Sequence, residues 1–343
     1  GSRVFVGVKA QEPQVAAADS NKANVDIWHY KDQMPQSVQI VQIQQLRRAT
    51  FPAVVSVATG RLVQLGNDAM RTVVPTADAK TAVGRDDSAY RGEVAWGANR
   101  SDLYRVDVAT GARTLIDKAL SRTYGTSPDS RWFLYLKNKQ VHAFDLDRGT
   151  SITLDASGVP TKSYVNEDDD HAYELPIWGV GGWTKDGKAV LLYDKFDVWQ
   201  VPLDGGRAID LTKGVGRTQG IEFRVVRFNA GGGRGGRGGG GGGFGGGGLA
   251  ADTAAVDLAK PVTLSAYGDR TKKFGYWHVT AGQDPHPLIW EDKNVGGAIK
   301  AADADRIVYT EQDFNEFPDY WSTNGTFASP KKVTDADPIL ADY

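Results

Sequence analysis

A strand, a short polar turn and a second strand recur six times along the chain, and this repeated hairpin constrains the fold more than any other feature. The turn carries a glycine, and the first strand often carries an aromatic residue such as Tyr104, Phe144 or Trp199. Glycine is favoured where a turn needs a positive φ, and alternating apolar residues on either side favour strands. The glycines that mark the six copies are Gly60, Gly111, Gly149, Gly206, Gly282 and Gly325.

A further strand pair precedes several of these hairpins, so that one unit holds four strands. It opens with a turn, written SPDS at 127–130, TKDG at 184–187 and ADAD at 302–305. The aspartate of each turn is expected to bond the backbone two residues further on, not to act as a ligand or catalyst. Four strands repeated roughly every 40 to 55 residues are typical of β-propeller blades. We therefore predict an all-β fold, a β-propeller with about six four-stranded antiparallel blades that can belong to a ring of seven or eight.

The composition excludes several classes of function. With a net charge of −2 and a pI of about 6.3, the 343 residues have no basic character that would attract nucleic acid or an anionic membrane. No apolar run is as long as a membrane span, and residues 1–10 lack the apolar core and cleavage site of a signal peptide. The absence of cysteine excludes disulfides, thiolate metal sites and a cysteine nucleophile, and it is compatible with both cytoplasm and periplasm.

The N-terminal sequence RVFVGVK, at 3–9, reads as a strand whose upstream partner is missing, and the GS before it is typical of a cloning remnant. We therefore expect residues 1–343 to form one propeller domain that is a fragment of a longer chain. An incomplete ring would expose blade faces, so association through open faces is a further expectation.

Glycine dominates the stretch Gly231–Gly248, which holds 15 of the chain's 41 glycines. Such a sequence cannot bury apolar surface or hold one backbone conformation. Without it, the spacing of the hairpins at Gly206 and Gly282 matches the others, so residues 231–248 are predicted to be a flexible loop inserted in a blade.

Arg234 and Arg237 resemble the arginines of RGG segments, which bind single-stranded nucleic acid. Two arginines in a slightly acidic chain favour a solvent loop, and we predict no nucleic-acid partner.

Catalytic motifs are absent from the sequence. It contains no G-x-S-x-G nucleophile elbow, no H-E-x-x-H pair among its five histidines and no G-x-x-x-x-G-K-[ST] phosphate loop. We therefore predict no catalytic residue, no cofactor and no metal site in this chain.

One acidic run offers a candidate binding site. In NEDDDHAYE, at 166–174, the carboxylates of Glu167, Asp168, Asp169 and Asp170 are clustered and can bind a cation or a substrate amine. The run lacks the alternating ligands and the glycine of an EF-hand loop. A solvated loop between blades is the alternative interpretation.

Five longer phrases carry a family resemblance when they are taken in order. They are NVDIWHYKDQMPQSVQ at 24–39, SPDSRWFLY at 127–135, GWTKDGKAVLLYDKFDVWQVPLDGG at 182–206, GIEFRVVRF at 220–228 and EQDFNEFPDYWSTNGTFASPKKVTDADP at 311–338. Together they resemble the propeller region of bacterial prolyl oligopeptidase-like serine peptidases, the S9 family. The resemblance covers nearly the whole chain except the glycine-rich stretch.

The resemblance implies a Ser-Asp-His triad in an α/β-hydrolase domain that follows the propeller, beyond Tyr343. No catalytic residue of the family therefore has a counterpart in this sequence. The paired-Glu motif with which dipeptidyl peptidases of the family hold a substrate's amino terminus has no match either.

The resemblance also implies a steric and recognitional role, because the family's propeller covers the active site, admits short peptides and excludes folded proteins. The leading hypothesis is a non-catalytic propeller portion of an S9-type serine peptidase, inactive alone, that serves peptide substrates through a C-terminal hydrolase domain absent from this chain. The alternative is a free-standing TolB-like scaffold that binds a protein partner. Bacterial members of this type are often exported, so a periplasmic or secreted location is expected. A cytoplasmic location is also compatible with the sequence.

Overall fold

The computed structural model describes residues 2–10, 25, 28–96, 99–228, 248–252 and 255–336. The chain divides into two compact units, residues 1–123 with 144–150 and residues 124–143 with 151–343. Across the described ranges no helix is both long and apolar enough to cross a membrane.

The first unit holds a three-stranded and a four-stranded sheet. Its elements are β1 Arg3–Val8, α1 Gln36–Arg48, β2 Phe51–Ser56, β3 Leu62–Gln64, β4 Thr72–Pro75, β5 Thr81–Asp86, a 3₁₀ helix Arg91–Trp96, β6 Ser101–Asp107 and β7 Arg113–Leu120. β1 pairs with β2, from Arg3 opposite Ser56 to Val8 opposite Phe51. β1 thus forms one edge of its sheet and pairs on the other side with β2, which follows a helix that has no buried residue, and the expected upstream partner of β1 stays a prediction.

Two further sheets repeat the four-stranded pattern in sequence order, and they lie mainly in the second unit. Their strands are β8 Arg122–Thr126, β9 Trp132–Lys137, β10 Gln140–Asp145, β11 Thr150–Thr153, β12 Val180–Thr184, β13 Ala189–Tyr193, β14 Val198–Pro202 and β15 Ile209–Asp210. Every residue of β13 is buried, as are five of the six in β9. Strands buried on both faces read as continuous apolar runs, which explains the sequences WFLYL and AVLLY.

Two last sheets complete the second unit. The remaining elements of this unit are α2 Val215–Gln219, β16 Ile221–Val225, β17 Gly248–Ala251, β18 Ala255–Val256, β19 Val262–Gly268, β20 Phe274–Val279, β21 His286–Glu291, β22 Asn294–Lys300, β23 Ile307–Gln312, β24 Asp319–Thr323 and β25 Lys331–Lys332. β16 pairs antiparallel with β19, so one sheet has the order β16-β19-β20-β21. β17 and β18 instead add parallel edge strands to β8 and β12.

Successive sheets of the second unit pack face to face through separate apolar clusters. Trp183 and Val190 lie with Leu134 between the β8–β11 and β12–β15 sheets. Leu191 and Phe223 belong to the next cluster along, which joins the β12–β15 sheet to the sheet of β16. Four-stranded antiparallel meanders stacked in chain order are the blades of a propeller. The chain accordingly has an all-β propeller fold, and the predicted fold class is confirmed.

All six predicted hairpins are present, and each is the last hairpin of its sheet. Gly60, Gly111, Gly149 and Gly282 adopt the positive φ expected of them. In the fourth copy the positive φ falls on Gly205 instead of Gly206, and in the sixth copy it falls on Phe327 and Ser329 instead of Gly325. These two turns therefore place the left-handed residue differently from the sequence expectation.

The turn aspartates behave as predicted in two of the three turns. Asp129 accepts the amide of Arg131 at 3.1 Å, and Asp186 accepts the amide of Lys188 at 3.0 Å, two residues on in both cases. In ADAD, Asp305 accepts the amide of Gly325 at 2.9 Å and so bonds the neighbouring hairpin.

The glycine-rich stretch falls almost wholly outside the described residues, which resume at Gly248. The prediction of a flexible loop over residues 231–248 therefore stays a prediction, as does the single domain over residues 1–343. β16 precedes the glycine-rich stretch and pairs directly with β19, which follows it after the short strands β17 and β18.

Candidate functional site

The connection between β11 and β12 folds back on itself and presents the acidic run at its tip. Val165 and Ile177 form an isolated antiparallel bridge at the base. Both are buried in the core with Tyr164, whose hydroxyl donates to the carbonyl of Asp155 at 2.8 Å. The apolar residues on either side of the acidic run thus fix the base of the loop, while most of the tip, residues 167–174, is exposed.

The structure separates the four predicted acidic residues into different environments. Asp168 lies 2.7 Å from the ammonium of Lys195 in the β13–β14 turn. Asp169 lies 2.6 Å from Nδ1 of His171, and the fully exposed Asp170 is 3.9 Å from the same nitrogen. Glu167 is exposed. Asp169 and Asp170 are therefore brought together with His171, whereas Asp168 is directed elsewhere.

A cavity of about 440 Å³ lies beside the tip of this loop. Its lining residues include three acidic ones, Asp169, Asp170 and Glu174, together with apolar residues of the β9 strand end and of the loop. The full lining is Leu136, Lys139, Val165, Asp169, Asp170, His171, Tyr173, Glu174 and Leu175. A concave apolar surface with a few convergent charged groups is the usual form of a small-ligand site.

The arrangement of the tip is suited to holding a positive charge. Donor atoms of Asp169, Asp170 and His171 all lie within 4.8 Å of one another. The rings of His171 and Tyr173 stack with centroids 5.0 Å apart, which orients the imidazole. A cation or an ammonium group fits this donor set, because carboxylate oxygens favour both.

Lys195 connects the loop to a buried group of carboxylates that sequence reasoning missed. Its hydrogen bond to Asp168 raises the pKa of the lysine above its usual range. Asp194 and Asp197, on either side of it in the β13–β14 turn, are each only 1% exposed. Asp194 accepts a hydrogen bond of 3.0 Å from the guanidinium of Arg217, and Asp197 accepts one of 2.9 Å from the backbone amide of Gly216. These contacts hold the turn that positions Lys195.

The buried carboxylates have perturbed acidities. Burial, reinforced by the charge of Asp210, raises the pKa of Asp197 to about 6. Burial likewise raises the pKa of Asp210 and of Glu222. The hydroxyl of Thr212 lies 2.8 Å from Oδ1 of Asp197 and 2.9 Å from Oδ1 of Asp210. One hydroxyl hydrogen serves one acceptor at a time, so Thr212 donates to only one of these two carboxylates at any moment.

Two of the five histidines also meet, although they are distant from any sequence motif. His278 and His286 are cross-strand partners on β20 and β21, with ring centroids 6.0 Å apart. Burial, followed by the nearby His286, lowers the pKa of His278 below its usual value. The register of β20 and β21 brings the two histidines together. Their spacing in the sequence does not predict this contact.

One turn exposes large apolar side chains. Phe314, between β23 and β24, is fully exposed, and Phe317 and Tyr320 are about half exposed. Single exposed apolar residues are ordinary on a protein surface, whereas a contiguous apolar patch marks a contact site.

The sequence matches no known family profile and no curated protein. Solved structures similar to it include the β-propeller domain of the Trilobed protease from Pyrococcus furiosus, with 13% identity over 83% of this chain and 77% of that one, and a TM-score of 0.36. Dipeptidyl peptidase 4 from Porphyromonas gingivalis shows 11% identity over 84% of this chain, with a TM-score of 0.46. The match covers only 44% of that protein. TolB from Acinetobacter baumannii shows 13% identity over 81% of this chain and 57% of that one, with a TM-score of 0.32. The propeller fold itself rests on the sheets described above.

Proposed function

We propose that the chain is a non-catalytic, peptide-binding β-propeller, the propeller portion of an S9-type serine peptidase, and that the acidic cavity holds the amino group of the peptide. The observation that carries the proposal is the cavity itself. Its lining combines three acidic residues, Asp169, Asp170 and Glu174, and one basic residue, Lys139, with the apolar residues Leu136 and Leu175. A peptide whose cationic amino terminus lies next to an apolar side chain matches the excess of acidic residues and the apolar part of this lining.

The proposed role toward a hydrolase domain is gating. In this role the sheets would admit short peptides and exclude folded proteins, and loops such as the acidic tip would add polar contacts to the peptide. The isolated chain is expected to be inactive, because its sequence contains no nucleophile elbow. Two assays test this expectation: hydrolysis of peptidyl-prolyl and dipeptidyl reporter substrates, and labelling of the chain by a serine-directed fluorophosphonate. Turnover by the purified chain would contradict it.

Peptide binding is predicted to depend on the free amino group. Ala-Pro amide should bind the chain at least about tenfold more tightly than its N-acetyl form, since an amine that pairs with carboxylates contributes more than a neutral amide. The double substitution Asp169→Asn with Asp170→Asn should remove this preference. Isothermal titration calorimetry at low salt gives both affinities.

The matched control is Glu167→Gln, which removes a carboxylate from the same run but outside the cavity lining. It should keep the preference for the free amine. Equal affinity for both peptides in the unsubstituted chain, or equal losses in the control and the double variant, would refute the amine-binding role.

A second candidate function, the free-standing TolB-like scaffold for a protein partner, is favoured by the exposed aromatic turn. Phe314 offers its whole side chain to a partner. Under this alternative, Phe314→Ser should abolish capture of a partner that the unsubstituted chain retains, and the amine preference should be absent. The two candidates therefore differ in both measurements.

A further inference from the structure

A short segment after the glycine-rich stretch covers the edges of two blades. We call this segment, residues 248–252 with 255–256, the strap. Gly248 and Ala251 pair in parallel with Tyr124 and Thr126 of β8. Ala255 and Val256 pair in parallel with Trp183 and Thr184 of β12. The strap therefore takes up backbone groups that edge strands otherwise offer to another chain.

Backbone hydrogen bonds fasten both parts of the strap. The amide of Asp252 donates to the carbonyl of Thr126 at 2.9 Å, and the amide of Lys185 donates to the carbonyl of Val256 at 2.8 Å. Such bonds recognise extended backbone and not a particular sequence. Another extended segment can therefore make the same bonds.

Two side chains of the strap anchor it to the blades. Leu249 is 6% exposed and supplies an apolar contact. The carboxylate of Asp252 accepts two hydrogen bonds of 2.7 Å from the guanidinium of Arg227, a paired arrangement that is strong and directional. Arg227 also donates to the carbonyl of Gly181 at 3.1 and 3.2 Å, so it is held in place from the β12 side.

The edge of β8 is shaped to accept a strand at close range. Gly125 has a φ of +85°, and a Cβ on it would clash with the carbonyl oxygen of Ala250. Only glycine lets the strap backbone approach this closely. The edge is thus fitted to a neighbouring backbone, with Arg227 placed for a carboxylate beside it.

The pairing of the strap with β8 is weak enough for another peptide segment to replace the strap. Its ladder with β8 is interrupted by a register shift between Gly248 and Ala251. Parallel ladders are slightly weaker per residue than antiparallel ones, and this one has few pairs. A second segment that carries the same two anchoring side chains can compete for the edge.

We propose that the strap is an internal occupant of a peptide-binding edge. An extended peptide with a leucine-sized apolar residue and a carboxylate three positions later displaces the strap, pairs in parallel with β8 and binds Arg227 through that carboxylate. This site is independent of the acidic cavity proposed above, since it selects a carboxylate and not an amine.

The test uses the full chain and a fluorescent peptide with the sequence of residues 248–256, GLAADTAAV. In the unsubstituted chain the internal strap competes, so binding is weak. Asp252→Ala removes the bond of the strap to Arg227 and raises the fraction of open edges, so the peptide should bind at least about tenfold more tightly. The same peptide with asparagine in place of its aspartate should lose this gain.

Two glycine substitutions provide the matched control in the Asp252→Ala background. Gly125→Ala places a methyl group where the bound backbone lies and should abolish peptide binding. Gly149→Ala imposes a similar strain, at a φ of +72°, where a Cβ meets nothing within 4 Å, and should retain binding. The difference between the two variants assigns the peptide to the β8 edge.

Hydrogen exchange decides whether the strap has opened. The backbone amide at position 252 bonds Thr126 in the closed form and should lose protection in the Asp252→Ala variant. Leu249→Asp provides a second way to release the strap, since it buries a charge in place of leucine. An open strap without tighter peptide binding, or a strap that stays protected in both variants, would overturn the proposal.

Discussion

Replacing Phe223 by alanine is expected to lower the free energy of unfolding of the second unit by about 3 to 5 kcal/mol. Phe223 in β16 is fully buried and packs edge-on against Trp277, with ring centroids 5.3 Å apart. It lies in the cluster that joins the β12–β15 sheet to the sheet of β16. The truncation removes the apolar contacts and leaves a cavity between two blades, which rigid sheets cannot close. Urea unfolding followed by tryptophan fluorescence measures the loss.

The control for this prediction is Phe314→Ala, the same substitution at a fully exposed position. Its effect should stay within about 0.5 kcal/mol, because no buried contact is lost. Equal effects at the two positions would show that the interface between these blades contributes little to stability.

The second large effect concerns the pH dependence of stability and arises from Asp197. Its pKa of about 6 in the folded chain exceeds the ordinary value of 3.8, so the folded state binds the proton more tightly than the unfolded state does. The contribution of this carboxyl is fully present below pH 3.8 and is lost as the pH rises through 6, by about 3 kcal/mol in total. Asp197→Asn abolishes this titration. The stability of the variant relative to the unsubstituted chain should therefore rise by about 2.5 kcal/mol between about pH 4 and pH 7.

Denaturant unfolding at a series of pH values measures the difference. Asp147→Asn is the control, because Asp147 is an exposed aspartate in a turn. The pH series of this variant is the baseline for the change measured with Asp197→Asn. A difference for Asp197→Asn that does not change with pH would contradict the raised pKa of Asp197 in the folded chain.

The repeated hairpins could be predicted because their signals are local. A glycine at the turn and alternating apolar residues on both sides act within about ten residues, and such short-range preferences survive in the fold. Gly111 and Gly149 follow this rule. Gly206 and Gly325 do not, since the left-handed residues of their turns are Gly205 in the first and Phe327 with Ser329 in the second. The type of each hairpin was thus readable, while its detailed turn geometry depended on the packing around it.

The acidic loop was predictable as a candidate but not as a geometry. Four adjacent carboxylates are visible in the sequence, yet the sequence does not tell which of them meets Lys195 and which meets His171. The partner of Asp168 comes from a different sheet connection, 27 residues further along the chain. Only the packed blades bring the two turns together.

The sequence by itself determined the all-β class, the four-stranded units and the candidate acidic run. The tertiary structure alone decided the strap and the buried carboxylates. The strap pairs through backbone groups that every residue carries, so Gly248–Ala251 has no side-chain pattern that distinguishes it from a loop. Asp194 and Asp197 look like ordinary turn residues, and their burial follows from the elements that pack over them. Backbone pairing and burial arise between segments that are distant in sequence, where local preference carries no information.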